Sequence, residues 1–90
     1  MSGTLRKVQL LVRQKKLVVS DHGYDELAAD GILADEAIAG LADAQVVEDY
    51  PTFPKGPCVL VLQQDDNGDP IHVVWGIPKG RSSPAVLITA

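Results

Sequence analysis

The sequence predicts an α+β domain in which an N-terminal amphipathic helix and two short helices pack on one face of a roughly four-stranded antiparallel sheet. Three observations lead there. Apolar residues recur at helical spacing only in the first half of the chain, up to about residue 44. From residue 45 onward they gather instead into short runs rich in β-branched side chains. The connections between those runs are short and rich in Pro and Gly, which suits a meander of hairpins.

The elements follow in order. In "TLRKVQLLVRQKK", Leu5, Val8, Leu11 and Val12 fall on one helical stripe with the charges mostly between them, so residues 4–15 read as an amphipathic helix with its basic end at the C-terminus. "LVVS" reads as a short strand. Ser20 or Asp21 then caps a helix over about residues 21–30, and Gly31 supplies its left-handed exit. In "ILADEAIAGL" a second short helix is expected, with Ile32 placed to staple onto Ala37 and Ile38 and Leu41 turned to the core. Glu36 stands at the capping-box position, although Leu33 cannot supply the box's hydroxyl.

Four strands follow: "AQVVEDY", "CVLVLQQ", "IHVVWGI" and "AVLIT". Asn67-Gly68 in "QDDNGDP" predicts a type I′ hairpin, because that turn needs two positive φ angles. "PTFPKGP" and "PKGRSSP" are the other connections. A period of two puts Ile71, Val73, Trp75 and Ile77 on the core face and His72, Val74 and Gly76 on the other. "CVLVL" is apolar on both faces and belongs in the middle of the sheet or under the N-terminal helix. Cys58, the single cysteine, reads as a small buried hydrophobe with no disulfide partner.

Ninety residues make one domain, 1–90, divided into a basic helix (1–16), a strand with two helices (17–44) and a meander (45–90). At this length folding buries only about 60–65% of the unfolded chain's surface, so the core must be small. Hydrophobic residues make up 46% of the chain and aromatic ones 4%, which points to a folded core of Val, Leu, Ile and Ala. No apolar run approaches the roughly 20 residues of a membrane span, and the basic start lacks a signal peptide's apolar region. A cytoplasmic protein with no membrane association is the expectation. The formal net charge is −4, but it is split along the chain. Every charged residue of 1–16 is basic (Arg6, Lys7, Arg13, Lys15, Lys16), and every charged residue of 17–50 is acidic. That split suits docking of the basic helix on the acidic segment, of its own chain or of a second copy, and it disfavours RNA as a partner.

Ser20 and His22 opening a helix, Gly31-Ile32 with Glu36 between the helices, Asp49-Tyr50-Pro51 ending a strand, His72-Val73, and Ile88-Thr89 form an ordered set over roughly residues 17–90. In that order and spacing the sequence resembles the bacterial domain-of-unknown-function 4258 family. The resemblance implies a fold similar to RelE-type and barnase-like small ribonucleases, and a toxin-like ancestry of the toxin-antitoxin kind. Two departures stand out. Relatives carry arginines in the first helix after the histidine, where this chain has Glu26 and Asp30, and they continue into a Tyr-x-Pro tail, whereas this sequence ends at Ala90.

A metal-independent ribonuclease needs a base, an acid and cations to stabilise a phosphorane. His22, His72 and Arg81 are the candidate catalytic residues, and Lys79 with Arg81 in "PKGRSS" the candidate phosphate-binding ones. Lys55 and the hydroxyls of Tyr50, Ser82, Ser83 and Thr89 are further available groups. The bland alternatives are a polar turn for "PKGRSS" and, for His22, a side chain that bonds a carbonyl or carboxylate and fixes the strand-to-helix corner. His22 with Asp25 or Glu26 gives two metal ligands without a third, so no metal and no cofactor is expected. Two functions remain open: a non-catalytic or degenerate interaction module, or a metal-independent endoribonuclease. The former is favoured because the acidic helices oppose a cationic groove. If "AVLIT" forms a bare sheet edge, a second copy can pair with it, which makes a homodimer or a small protein partner the expected association.

Overall fold

The side chain of Ser2 accepts the backbone N–H of Leu5 at 3.0 Å and starts the first helix, α1 (Gly3–Arg13). The computed structural model describes residues 2–90. Lys15 takes a left-handed φ of 60° and turns the chain into a three-residue strand, β1 (Leu17–Val19). Two helices follow, α2 (Asp21–Ala29) and α3 (Ala34–Gly40), with Gly31 at a φ of 69° between them. A single 3-10 turn, Leu41–Asp43, leads into β2 (Gln45–Tyr50), β3 (Cys58–Gln64), β4 (Pro70–Gly76) and β5 (Ala85–Thr89).

The α+β class and the helices-then-strands order are as the sequence predicts, but the sheet has five strands and is mixed. Its order is β1-β5-β4-β3-β2. β2 to β5 form the antiparallel meander, and β1 adds in parallel to β5, with Leu17 opposite Ala85 and Val19 opposite Leu87. β5 is therefore an interior strand. The expectation that "AVLIT" offers a bare edge is overturned, because β1 occupies it and the N–H of Ser20 continues the pairing onto the Leu87 carbonyl at 3.0 Å. The edges are β1 and β2.

The hairpin between β3 and β4 also differs in detail. Gly68 alone has a positive φ (80°), while the Asp65 carboxylate accepts the N–H groups of Asn67 and Asp69, both at 2.9 Å. This is a tight turn closed by a left-handed glycine, not type I′, and the Asp65 side chain holds Asn67 out of the second left-handed position.

All three helices lie on one face. α1 contributes Leu5, Val8 and Leu11 to the core, α2 contributes Leu27, and α3 contributes Ala37; Leu41 of the following turn joins them. They meet Val59 and Val61 of β3, Val73 and Trp75 of β4, and Ala85 and Leu87 of β5. The alternation in β4 is as predicted: Val73, Trp75 and Ile77 are buried, Ile71 packs at the margin and His72 is exposed. One polar side chain enters this layer. Gln63 is buried, donates to the Ala37 carbonyl at 2.6 Å and lies 3.4 Å from the Trp75 indole nitrogen, tying α3 to β3 and β4. Within the chain the basic helix does not dock on the acidic segment through its charges. Among the described residues the one ion pair is His22–Glu26, so α1 is held by its apolar stripe and by Gln9, which donates to the Leu41 carbonyl at 3.1 Å.

Candidate functional site

The strand-to-helix corner at residues 18–24 is built by Ser20. Its hydroxyl accepts the N–H of Gly23 at 2.9 Å, capping α2, and donates to the Ile88 carbonyl at 2.8 Å. Gly23 permits this approach: a Cβ there would stand 2.9 Å from the Leu87 carbonyl oxygen. His22 does not hold the corner. Its side chain is 67% exposed and reaches only Glu26, one turn on, with Nε2 3.3 Å from the carboxylate. Asp25 adds no third ligand, and no group of three His, Cys, Asp or Glu side chains that could hold a metal lies among the described residues.

The register fixes where the other candidates stand. His72 pairs with Leu62 near the hairpin end of β3 and β4, and Thr89 pairs with Val74 close by. His22 follows Ser20, which bonds to Leu87 and Ile88, so both histidines and Thr89 belong to one end of the sheet. The helix bearing His22 covers one face, whereas His72 stands on the other. Lys79 and Arg81 occupy the connection before Ala85, at the opposite end. Five residues of β5 at about 3.3 Å each put roughly 13 Å or more of strand between the two groups. The structure brings Lys79 together with Lys55 instead. The Lys79 N–H donates to the Lys55 carbonyl at 3.2 Å, Arg81 closes a turn onto the Pro78 carbonyl, and Gly56 at a φ of 123° lets the two connections touch. A Cβ on Gly56 would lie 2.2 Å from the Ile77 carbonyl oxygen.

The feature that sequence reasoning missed is the face turned away from the helices. Val18, Leu60, Leu62, Val74, Val86 and Ile88 share it with His72 and Cys58, and among the described residues no helix covers it. Val18 and Ile88 are exposed, and the other four aliphatic residues are half-buried against one another. Tyr50 and Phe53, edge to face with ring centres 6.4 Å apart, stand exposed at one corner. Beside them a shallow cavity of about 200 Å³ opens between Phe53, Lys55, Cys58, Gly76, Val86 and Ile88. Cys58 is buried as expected, but on this face and outside the main core. Desolvation first, then the nearby Asp49, pushes its thiol above the ordinary value, which disfavours the thiolate. Tyr50 donates to Glu48, and that bond, with a little burial and the Glu48 charge, raises the phenol above its ordinary value. The signal was present in the sequence: "CVLVL" is apolar at every position and "AVLIT" at its first four, which a sheet covered on one face does not require.

Three helices over one face of a mixed five-stranded sheet, with the other face apolar and open, define a small two-layer α+β domain. The chain belongs to the family described as Domain of unknown function (DUF4258), whose model matches residues 19–90. No curated protein and no solved structure matches it.

Proposed function

We propose that this domain is a non-catalytic interaction module of RelE-like fold, binding another protein surface through its open sheet face. The observation that carries the reading is that face. Val18, Leu60, Leu62, Val74, Val86 and Ile88 form one contiguous apolar patch, with Val18 and Ile88 exposed and the other four half-buried, and contiguous apolar patches of this size are often functional. The spread of the candidate catalytic groups supports it too. A phosphorane must touch base, acid and cation within a few ångströms, whereas His22 and His72 stand at one end of β5 and Lys79 and Arg81 at the other.

The test is cleavage of varied RNAs without metal by the wild type, His22→Ala and Arg81→Ala. No cleavage by any of the three supports the interaction reading. Cleavage that falls 100-fold or so in either variant sinks it and supports the alternative, a metal-independent endoribonuclease. Helix length gives no support to membrane insertion: no helix among the described residues is long and apolar enough to cross a bilayer.

A further inference from the structure

We propose that the occupant of the open face is a second copy of this chain, stacked face to face with its strands antiparallel, so that the cationic end of each sheet lies over the acidic end of the other. This rests on reading the domain as an interaction module and names the partner.

The two edges of the sheet are poor places to associate. β1 is three residues long and follows Lys15 and Lys16. β2 is bulged between Val46 and Glu48 and carries Glu48 and Asp49 side by side, which antiparallel self-pairing would set against each other. The face has neither protection. Its aliphatic residues run across all the strands from β1 to β3, with Leu60 and Val74 directly paired at its middle.

The charges at the two ends of that face specify the orientation. Lys55 precedes β3, and Lys79 and Arg81 follow β4, so all three cations stand at the end where Cys58 pairs with Gly76. Asp65, Asp66 and Asp69 form the hairpin at the other end. The seven residues of β3 set the two groups about 23 Å apart. Neither group is neutralised within the chain, since His22–Glu26 is the one ion pair among the described residues. The acidic end is crowded: slight desolvation of this exposed carboxyl, then Glu36 reaching it from α3 on the helix side, then Asp65, raise Asp66 above its ordinary value. A two-fold axis perpendicular to the strands and passing near Leu60 and Val74 superposes the face on its copy and brings each cationic end over an acidic one. Such an interface is isologous and closes at two copies. Five strands about 4.8 Å apart and about 17 Å long give roughly 400 Å² per copy, a small interface that holds at micromolar rather than nanomolar concentration.

Sedimentation velocity from about 5 to about 500 µM tests this, with half-association expected at tens of micromolar. Val74→Lys at the middle of the face should leave a folded monomer across that range. The exposed-loop variants Lys55→Glu/Lys79→Glu and Asp66→Lys/Asp69→Lys keep the test decisive should Val74→Lys not fold. Each should be monomeric alone, and the two mixed should form a heterodimer. A wild type that stays monomeric throughout overturns the second copy as occupant, while the interaction reading is judged separately by the RNA assay. A dimer indifferent to both Val74→Lys and the charge reversals overturns the face as its interface.

Discussion

Ser20 performs two tasks with one hydroxyl, and half of that was legible in the sequence. As the cap of α2 it follows from a serine before a helical pattern. Its bond to Ile88 lies 68 positions away and has no local signature. Ser20→Ala should therefore cost more than a cap alone, about 2 kcal/mol by urea denaturation. His22→Ala should shift the midpoint little, since an exposed i,i+4 pair contributes only about 0.3–0.5 kcal/mol. Equal effects of the two would show that the corner is held by His22 after all. Gln63 repeats the lesson in the core. The period of two in "CVLVLQQ" puts it on the face of Val59 and Val61, but the partners that make its burial tolerable, Ala37 and Trp75, come from other elements. Gln63→Leu keeps the bulk and strands the Ala37 carbonyl, so a loss of about 1–3 kcal/mol is expected in the same assay.

Among elements, the hairpin shows how a turn's position can be read while its type cannot. Asn67-Gly68 marks the reversal, but the Asp65 carboxylate decides the geometry by gathering two N–H groups. The cost is a cluster of negative charge in which Asp66 also meets Glu36, whose other oxygen accepts the Leu33 N–H at 2.7 Å and starts α3. Folding raises the Asp66 carboxyl, so the native state holds its proton more tightly than the unfolded chain. The contribution to stability is present below the ordinary value of 3.8 and is lost as pH rises through the folded value. Asp66→Asn should accordingly raise the melting temperature at pH 7, with the gain vanishing as the pH is taken below 3.8. A gain of equal size at both pH values would assign it to something other than charge. β1 was legible as a strand but not as a partner of β5. Three residues carry too little pattern to choose a register, and the parallel pairing is set by the corner at Ser20.

For the whole molecule, the two-layer arrangement follows from the change of period along the chain, whereas the open face does not. An all-apolar strand reads as buried on both sides, and nothing local distinguishes a face covered by the chain's own helix from one covered by another molecule. A second consequence concerns where the folding unit begins. The family match starts at residue 19, yet α1 lies before it and supplies Leu5, Val8 and Leu11 to the same core as Val61, Val73 and Trp75. Val8 and Trp75 are both 0% exposed, and the Lys16 carbonyl accepts the N–H of Ala85 at 3.0 Å, so the segment before the match also pins the start of β5. In a domain this small, burial of each large aliphatic side chain is worth about 1.5–3 kcal/mol, and total stability is about 5–10 kcal/mol. Losing three such side chains, and uncovering the part of the sheet that α1 packs against while α2 and α3 keep the rest, takes away a sum comparable to the whole. The fragment 17–90 should therefore melt without a cooperative transition, with emission from Trp75, the single tryptophan, shifted to the red of the intact chain's. A sharp melt with unshifted emission would show that the segment matched by the family folds without α1.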